Sequence, residues 1–149
     1  MTYCHTQRGI LTQGLFLPLA LLFLCVWVFT SLPSGAIVGL AIVEIVLVLI
    51  MSLFYSLTVS IDEKSVSLRF GIGLIRARFE LAEITCAKPV RNHWYDGWGV
   101  RILSNGYLYN VSGLGAVEIA LSSGAIHRIG TDEPDILAQA INTACRLSA

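Results

Sequence analysis

Two apolar stretches dominate the first third of this 149-residue chain: "ILTQGLFLPLALLFLCVWVFT" at 10–30 and "AIVGLAIVEIVLVLIMSLFY" at 36–55, with only "SLPSG" between them. Each supplies the ~20 residues that a helix needs to cross a hydrocarbon layer of roughly 30 Å. Pro33, Ser34 and Gly35 are turn formers, so the two helices are expected to run antiparallel and return the chain to the side it left. The composition agrees, with 55% hydrophobic and 13% charged residues and a mean hydropathy of +0.72, which lies outside the range of ordinary soluble domains. A cleaved signal peptide fits less well, because its apolar core runs to about 7 to 15 residues and no second span follows it directly. Cys25 lies in mid-span after "LLFL", without the small-residue context of a lipoprotein site.

Positive charge sets the orientation. Arg8 precedes the first span, every other Lys and Arg follows the second, and the connecting turn has none, so both termini are expected in the cytoplasm. The expected division is a cytoplasmic tail at 1–9, a first span at 10–31, an external turn at 32–35, a second span at 36–55 and a cytoplasmic domain at 56–149.

From Leu57 onward the period becomes two. "LTVSI", "VSLRF" and "IRARFEL" alternate apolar with polar residues, and "EITCAK", "WGVRIL", "YLYNV", "AVEIAL" and "IHRIG" continue the pattern between turn signals such as "DEKS", "FGIG", "SNG" and "SSG". Seven or eight short antiparallel strands are expected. The period then changes again: Ile136, Leu137, Ala140, Ile141, Ala144 and Leu147 form a stripe at helical spacing behind "TDEP", where Thr131 or Asp132 caps and Pro134 fits the first turn. A closing helix is expected at 133–147. The fold class is therefore a membrane α-helical hairpin followed by a mainly β domain.

The stretches "YDGWGVR", "YLYNVSGLGAVEIAL" and "RIGTDEP" resemble small bacterial membrane proteins that carry a pleckstrin-homology-like (PH-like) domain behind two transmembrane helices. The resemblance covers roughly 57–147 and includes the hairpin. It implies a barrel of two packed sheets with one open end plugged by the C-terminal helix, seated at the inner membrane of a bacterium. It supplies no activity. Phosphoinositide-binding members of the wider fold cluster Lys and Arg around the first hairpin, whereas "IDEKSV" sets Asp62 and Glu63 against Lys64 alone, so no inositol phosphate site is expected.

The residue types that carry catalysis are scattered. His5, His93 and His127 have no carboxylate or cysteine at ligand spacing, so no metal or other cofactor is expected. Cys4, Cys25, Cys86 and Cys145 form no CxxC pair, and Cys86 and Cys145 read as reduced structural thiols. "GIG" and "SGLG" lack the lysine and following helix of a phosphate loop. "NVS" at Asn110 matches a glycosylation sequon in a cytoplasmic strand end, a chance match. An enzyme is not expected, and a pI near 6.8 carries too little basic excess for nucleic acid.

Two groups remain as candidate sites. Lys88, Arg91, Trp94 and Tyr95 combine cations with amphipathic rings, the pairing favoured at a membrane–water boundary. If the strands run up and down from Ser56, the "PVRNHWYDG" loop returns to the membrane, with Trp98 and Val100 turning into the barrel core. Glu44 lies near the centre of the second span, where an acidic residue costs about 2.5 to 3.5 kcal/mol. It is expected either to meet a protein partner or to be hydrogen-bonded within the hairpin. Gly35 and Gly39 form a GxxxG about 140° around the helix from it, a pattern that admits a close helix. Two functions are consistent with these features. One is a tethered module that binds lipid and a membrane or cytoplasmic protein, or a second copy of itself. The other is a small subunit of a transporter or membrane enzyme that uses Glu44.

Overall fold

The computed structural model describes residues 3–31 and 33–148. Its elements in chain order are β1 (Tyr3–Arg8), α1 (Ile10–Phe29), α2 (Ser34–Phe54), β2 (Ser56–Ile61), β3 (Ser65–Phe70), β4 (Arg76–Glu80), β5 (Ile84–Arg91), β6 (Gly99–Leu103), β7 (Gly106–Asn110), β8 (Gly115–Leu121), β9 (Ile126–Gly130) and α3 (Pro134–Ser148), with short 3₁₀ turns at Leu81–Glu83 and Trp94–Asp96. Eight strands follow the hairpin, in line with the alternation of the sequence.

The two long helices match the apolar stretches. They have mean hydropathies of 2.1 and 2.9, long and apolar enough to cross a membrane, and 11% and 6% of their most apolar windows are buried within the protein. Such helices direct their apolar side chains outward, unlike the core helices of a soluble fold. Their ends differ from expectation by a few residues: α1 stops at Phe29, and Ser34 and Gly35 already belong to α2, with Pro33 as its N-cap. Leu32 lies outside the described residues, as do Met1, Thr2 and Ala149.

The N-terminal segment is not a free tail. Tyr3–Arg8 forms an antiparallel ladder with Ser56–Ile61, from Tyr3↔Ile61 to Arg8↔Ser56. The helical pair α1/α2 is thus the connection of a β-hairpin, and the first strand of the domain precedes the hairpin in sequence. In "YCHTQR" the outward residues Cys4, Thr6 and Arg8 alternate with half-buried Tyr3 and His5 and buried Gln7. The apolar alternation that marks a strand is missing here, because only Tyr3 contributes a large apolar side chain to the inner face.

The strands form a four-stranded sheet in the order β1-β2-β3-β4 and a five-stranded sheet in the order β5-β8-β9-β7-β6. The first is a simple antiparallel meander. The second departs from the expected up-and-down order: β8 crosses back to pair with β5, and β7 runs parallel to β9 through Leu108↔Arg128 and Tyr109↔Ile129. No ladder joins the two sheets among the described residues, so the β domain is two facing sheets and not a closed barrel.

Alternation places the core between them. Leu57, Val59 and Ile61 of β2 and Val66, Leu68 and Phe70 of β3 face Val117 and Ile119 of β8 and Ile129 of β9, joined by Leu137 and Ile141 of α3. Each such side chain contributes about 1.5 to 3 kcal/mol when fully buried. α3 starts with Pro134, whose missing N–H is harmless in a first turn, and packs on β5, β8 and β2. Its buried stripe is Leu137, Ala138 and Ile141, while Ile136 and Leu147 stay exposed at its rim. In the β2–β3 turn, Asp62 accepts the backbone N–H groups of Lys64 and Ser65 at 2.9 and 2.7 Å, and these bonds hold its carboxyl below the usual carboxylate range.

Candidate membrane-facing site

The ladder between β1 and β2 runs without a linker into the helices. Gly9 donates its N–H to the Tyr55 carbonyl at 2.7 Å, and a Cβ on Gly9 would collide with the Phe54 carbonyl oxygen. Three loops of the domain gather around this junction. In the β3–β4 turn, Gly71 N–H donates to Ser56 O at 2.8 Å and Ile72 N–H to Ser52 O at 3.2 Å, in the last turn of α2. The β7–β8 loop is held by Gln7 Nε2, which donates to Ser112 O at 2.9 Å, and by Thr12 Oγ1, which donates to Val111 O at 3.5 Å. The β5–β6 loop starts with Asn92 N–H bonded to Leu114 O at 2.8 Å and ends with Gly99 beside the Phe54 ring. These bonds define which end of the domain faces the helices.

That end is apolar at its tips. Ile72 is 57% exposed, Leu74 75%, Trp94 76% and Tyr95 66%. Isolated exposed apolar residues need no explanation, but four large ones on two loops that both adjoin the end of α2 are of the kind that marks a contact with membrane or protein. Arg69, Arg76 and Arg91 are exposed around it. Lys88 is placed differently: it lies within β5, and its Nζ is 2.9 Å from Glu118 Oε1. Burial opposes the ionisation of Glu118, but Lys88 and Arg128 together outweigh it and hold its carboxyl low.

The stretch "WYDGWGVR" resolves into architecture and surface. Asp96 Oδ2 accepts the His93 N–H at 2.8 Å and lies 4.0 Å from Arg128 Nη1, which closes the 3₁₀ turn and ties the loop to β9. The His93 ring stacks on Tyr95 with centroids 4.8 Å apart. Gly97 and Gly99 have φ of +75° and +96°, which side-chain-bearing residues rarely adopt. The expected inward turn of Trp98 and Val100 is not what occurs: they are 40% and 37% exposed, because β6 is the outer strand of a sheet whose edge does not close onto β4. The inner face there is filled from elsewhere, by Phe79, Tyr107, Tyr109 and His127 in mutual ring contact. Burial pushes the His127 imidazole below its ordinary pKa, in keeping with a neutral ring whose Nδ1 accepts the Tyr107 N–H.

Within the helices, Glu44 points into the seam with α1, beside Leu24 in the clefts on both of its sides. Its Oε2 is buried and has no hydrogen-bond partner among the described residues. Gly35 and Gly39 are on another face, with nothing within 4 Å of an added Cβ. They do not mediate the α1–α2 contact.

The remaining candidates have structural settings. Among the described residues no group of three or more His, Cys, Asp or Glu is placed to hold a metal. His5 instead links β1 to the start of α3, with Nε2 2.6 Å from Asp132 Oδ1. None of the four cysteines forms a disulfide among the described residues. Cys86 is exposed rather than packed, while Cys145 is half-buried beside the core, and burial pushes its thiol up. Asn110 is fully buried, and its side chain bonds to Gly113 O and Ser112 N, so the "NVS" motif is the framework of a tight loop. No protein-family model matches the chain, and no curated protein is significantly similar to it.

Proposed function

We propose that this is a two-span membrane protein that holds a PH-like module against the cytoplasmic headgroup layer of a bacterial inner membrane, where the module serves as a lipid and protein interaction surface. The observation that carries the reading is the apolar tip formed by Ile72, Leu74, Trp94 and Tyr95 on the end of the domain that adjoins the helices. Rings with a polar edge are favoured in the headgroup region, and each nearby arginine adds about 1 kcal/mol beside anionic lipid. The PH-like assignment draws on the facing four- and five-stranded sheets and on the C-terminal helix packed across them. The open edge strand β6, with Ile102 exposed, is the surface offered to a protein.

The placement requires the α1–α2 turn to lie outside. In a Cys25-free background, Ser34→Cys is expected to react with an impermeant maleimide added to intact cells. Labelling only after the cytoplasmic face is opened would reverse the orientation.

A second reading attaches to Glu44, whose buried oxygen without a partner marks an intramembrane carboxyl as a functional candidate. As a subunit of a transporter or membrane enzyme, the chain would present it to an ion or proton path. Crosslinking in native membranes identifies the partner. Glu44→Gln is then expected to leave the crosslink in place and abolish the partner's ion movement, and undiminished movement would reject this reading.

A further inference from the structure

The outer face of the first sheet carries a cationic cleft where it meets the helices. Arg8 ends β1 opposite Ser56, Thr58 of β2 pairs with Arg69 of β3, and Arg69 pairs with Arg76 of β4. A cleft of about 440 Å³ opens here between Arg8, Arg69, Thr6, Thr58, Gln13 and Tyr55, and no acidic side chain lines it. Arg8 and Arg69 form no ion pair among the described residues. Thr6 and Thr58 hydroxyls lie 2.9 Å apart on the same wall. α1 begins two residues after Arg8 with no side-chain cap, so its positive dipole end adds to the same sign of potential. Two guanidinium forks with neighbouring hydroxyls suit the oxygens of a phosphate group.

A second cleft, of about 500 Å³, continues along the helices. It is lined by Leu17, Leu21, Leu24, Val48 and Met51 and reaches Glu44, and it shares Gln13 and Tyr55 with the first. The cationic cleft and the apolar one therefore adjoin at Gln13 and Tyr55. From Gln13 to Leu24 the rise along α1 is about 16 Å, roughly the depth of one leaflet of a 30 Å hydrocarbon layer.

We propose that these joined clefts hold one anionic phospholipid, its phosphate between Arg8 and Arg69 and one acyl chain in the groove between α1 and α2. The proposal rests on the reading that the hairpin spans the bilayer and the domain lies on it. A soluble phosphate would fill the polar cleft and leave the apolar one uncovered. A zwitterionic lipid brings a cation to a cleft that has arginines and no carboxylate. A lipid with net negative charge matches both parts.

The test uses the full chain in mild detergent micelles, titrated with phosphatidylglycerol, phosphatidylcholine or inorganic phosphate, with thermal unfolding and native mass spectrometry as readouts. Phosphatidylglycerol is expected to raise the melting temperature saturably and to remain bound at one per chain. The Arg8→Gln/Arg69→Gln variant is expected to weaken it about 30-fold, with unchanged melting in micelles that lack added lipid. Thr58→Asp, which leaves both arginines in place and sets a carboxylate between them, is expected to produce a comparable loss and serves if the double variant does not fold. Equal binding of phosphatidylcholine, or undiminished phosphatidylglycerol binding in either variant, would overturn the proposal. So would inorganic phosphate that reproduces the shift and displaces the lipid, since the site would then take the free anion. Trp94 fluorescence in bilayers separates the two levels: Trp94 at the interface without lipid selectivity refutes this site alone, while Trp94 in water refutes the placement beneath it.

Discussion

A chain in which Arg8 is joined to Ser56 by an Asn-Gly turn, in place of the whole α1–α2 hairpin, is expected to fold as a soluble domain, whereas residues 56–148 alone are not. Arg8 and Ser56 are the last pair of the β1–β2 ladder, so a two-residue turn of the type favoured in β-hairpins closes it without strain. Omitting β1 removes a six-residue ladder, the half-buried Tyr3 ring and the His5 link to Asp132. It also leaves β2 as a bare edge beside the core, a template for aggregation. With net backbone bonds at about 1 kcal/mol each and whole domains stable by about 5 to 15 kcal/mol, the loss is a large share of the total. Amide dispersion in NMR spectra and dye binding to exposed apolar surface distinguish the two chains. Equal folding of both would show that β1 is dispensable.

The second large effect is expected at Gly71. Its φ is +42°, and a Cβ there would run into the carbonyl oxygens of Ser52 and Leu53 in the last turn of α2. Gly124 supplies the control, with φ of +85° and nothing within 4 Å of an added Cβ. Gly124→Ala is expected to cost about 1 to 2 kcal/mol, the penalty of the left-handed backbone alone. Gly71→Ala adds a backbone overlap that no side-chain rotation relieves, for a total of about 4 kcal/mol or more, in the range reserved for severe steric faults. Denaturant unfolding of both variants in the same detergent gives the comparison. If the two cost the same, the contact between the domain and α2 is looser than the bonds from Gly71 and Ile72 indicate.

The apolar stretches, the eight later strands and α3 follow from period and punctuation, because their inward residues are large and apolar: Leu57, Val59 and Ile61, or Leu137 and Ile141. β1 was unreadable by the same rule, since Gln7 and His5 occupy inward positions and are satisfied by tertiary partners at Ser112 and Asp132. Long-range strand order leaves no local trace either, which is why β7 beside β9 and the exposure of Trp98 ran against expectation. For the candidate site, the amphipathic character of Trp94 and Tyr95 was plain from composition. The proximity of Arg8 to Arg69 depends on pairing across about sixty residues of sequence that includes both helices, and that of Ile72 to the end of α2 on its backbone bond to Ser52. Lys88 shows the converse: a basic residue next to an aromatic loop whose charge is taken by Glu118, a partner contributed by β8.

The placement of the domain on the bilayer is read most directly by Trp94 in bilayers with Trp27→Phe and Trp98→Phe, which leaves a single reporter among the chain's three tryptophans. Lipids brominated at graded depths along the acyl chain are expected to quench it, most strongly when the bromines lie nearest the headgroup. Iodide in the aqueous phase is expected to quench weakly. Trp94 emission that is untouched by every brominated lipid and fully accessible to iodide would contradict the account.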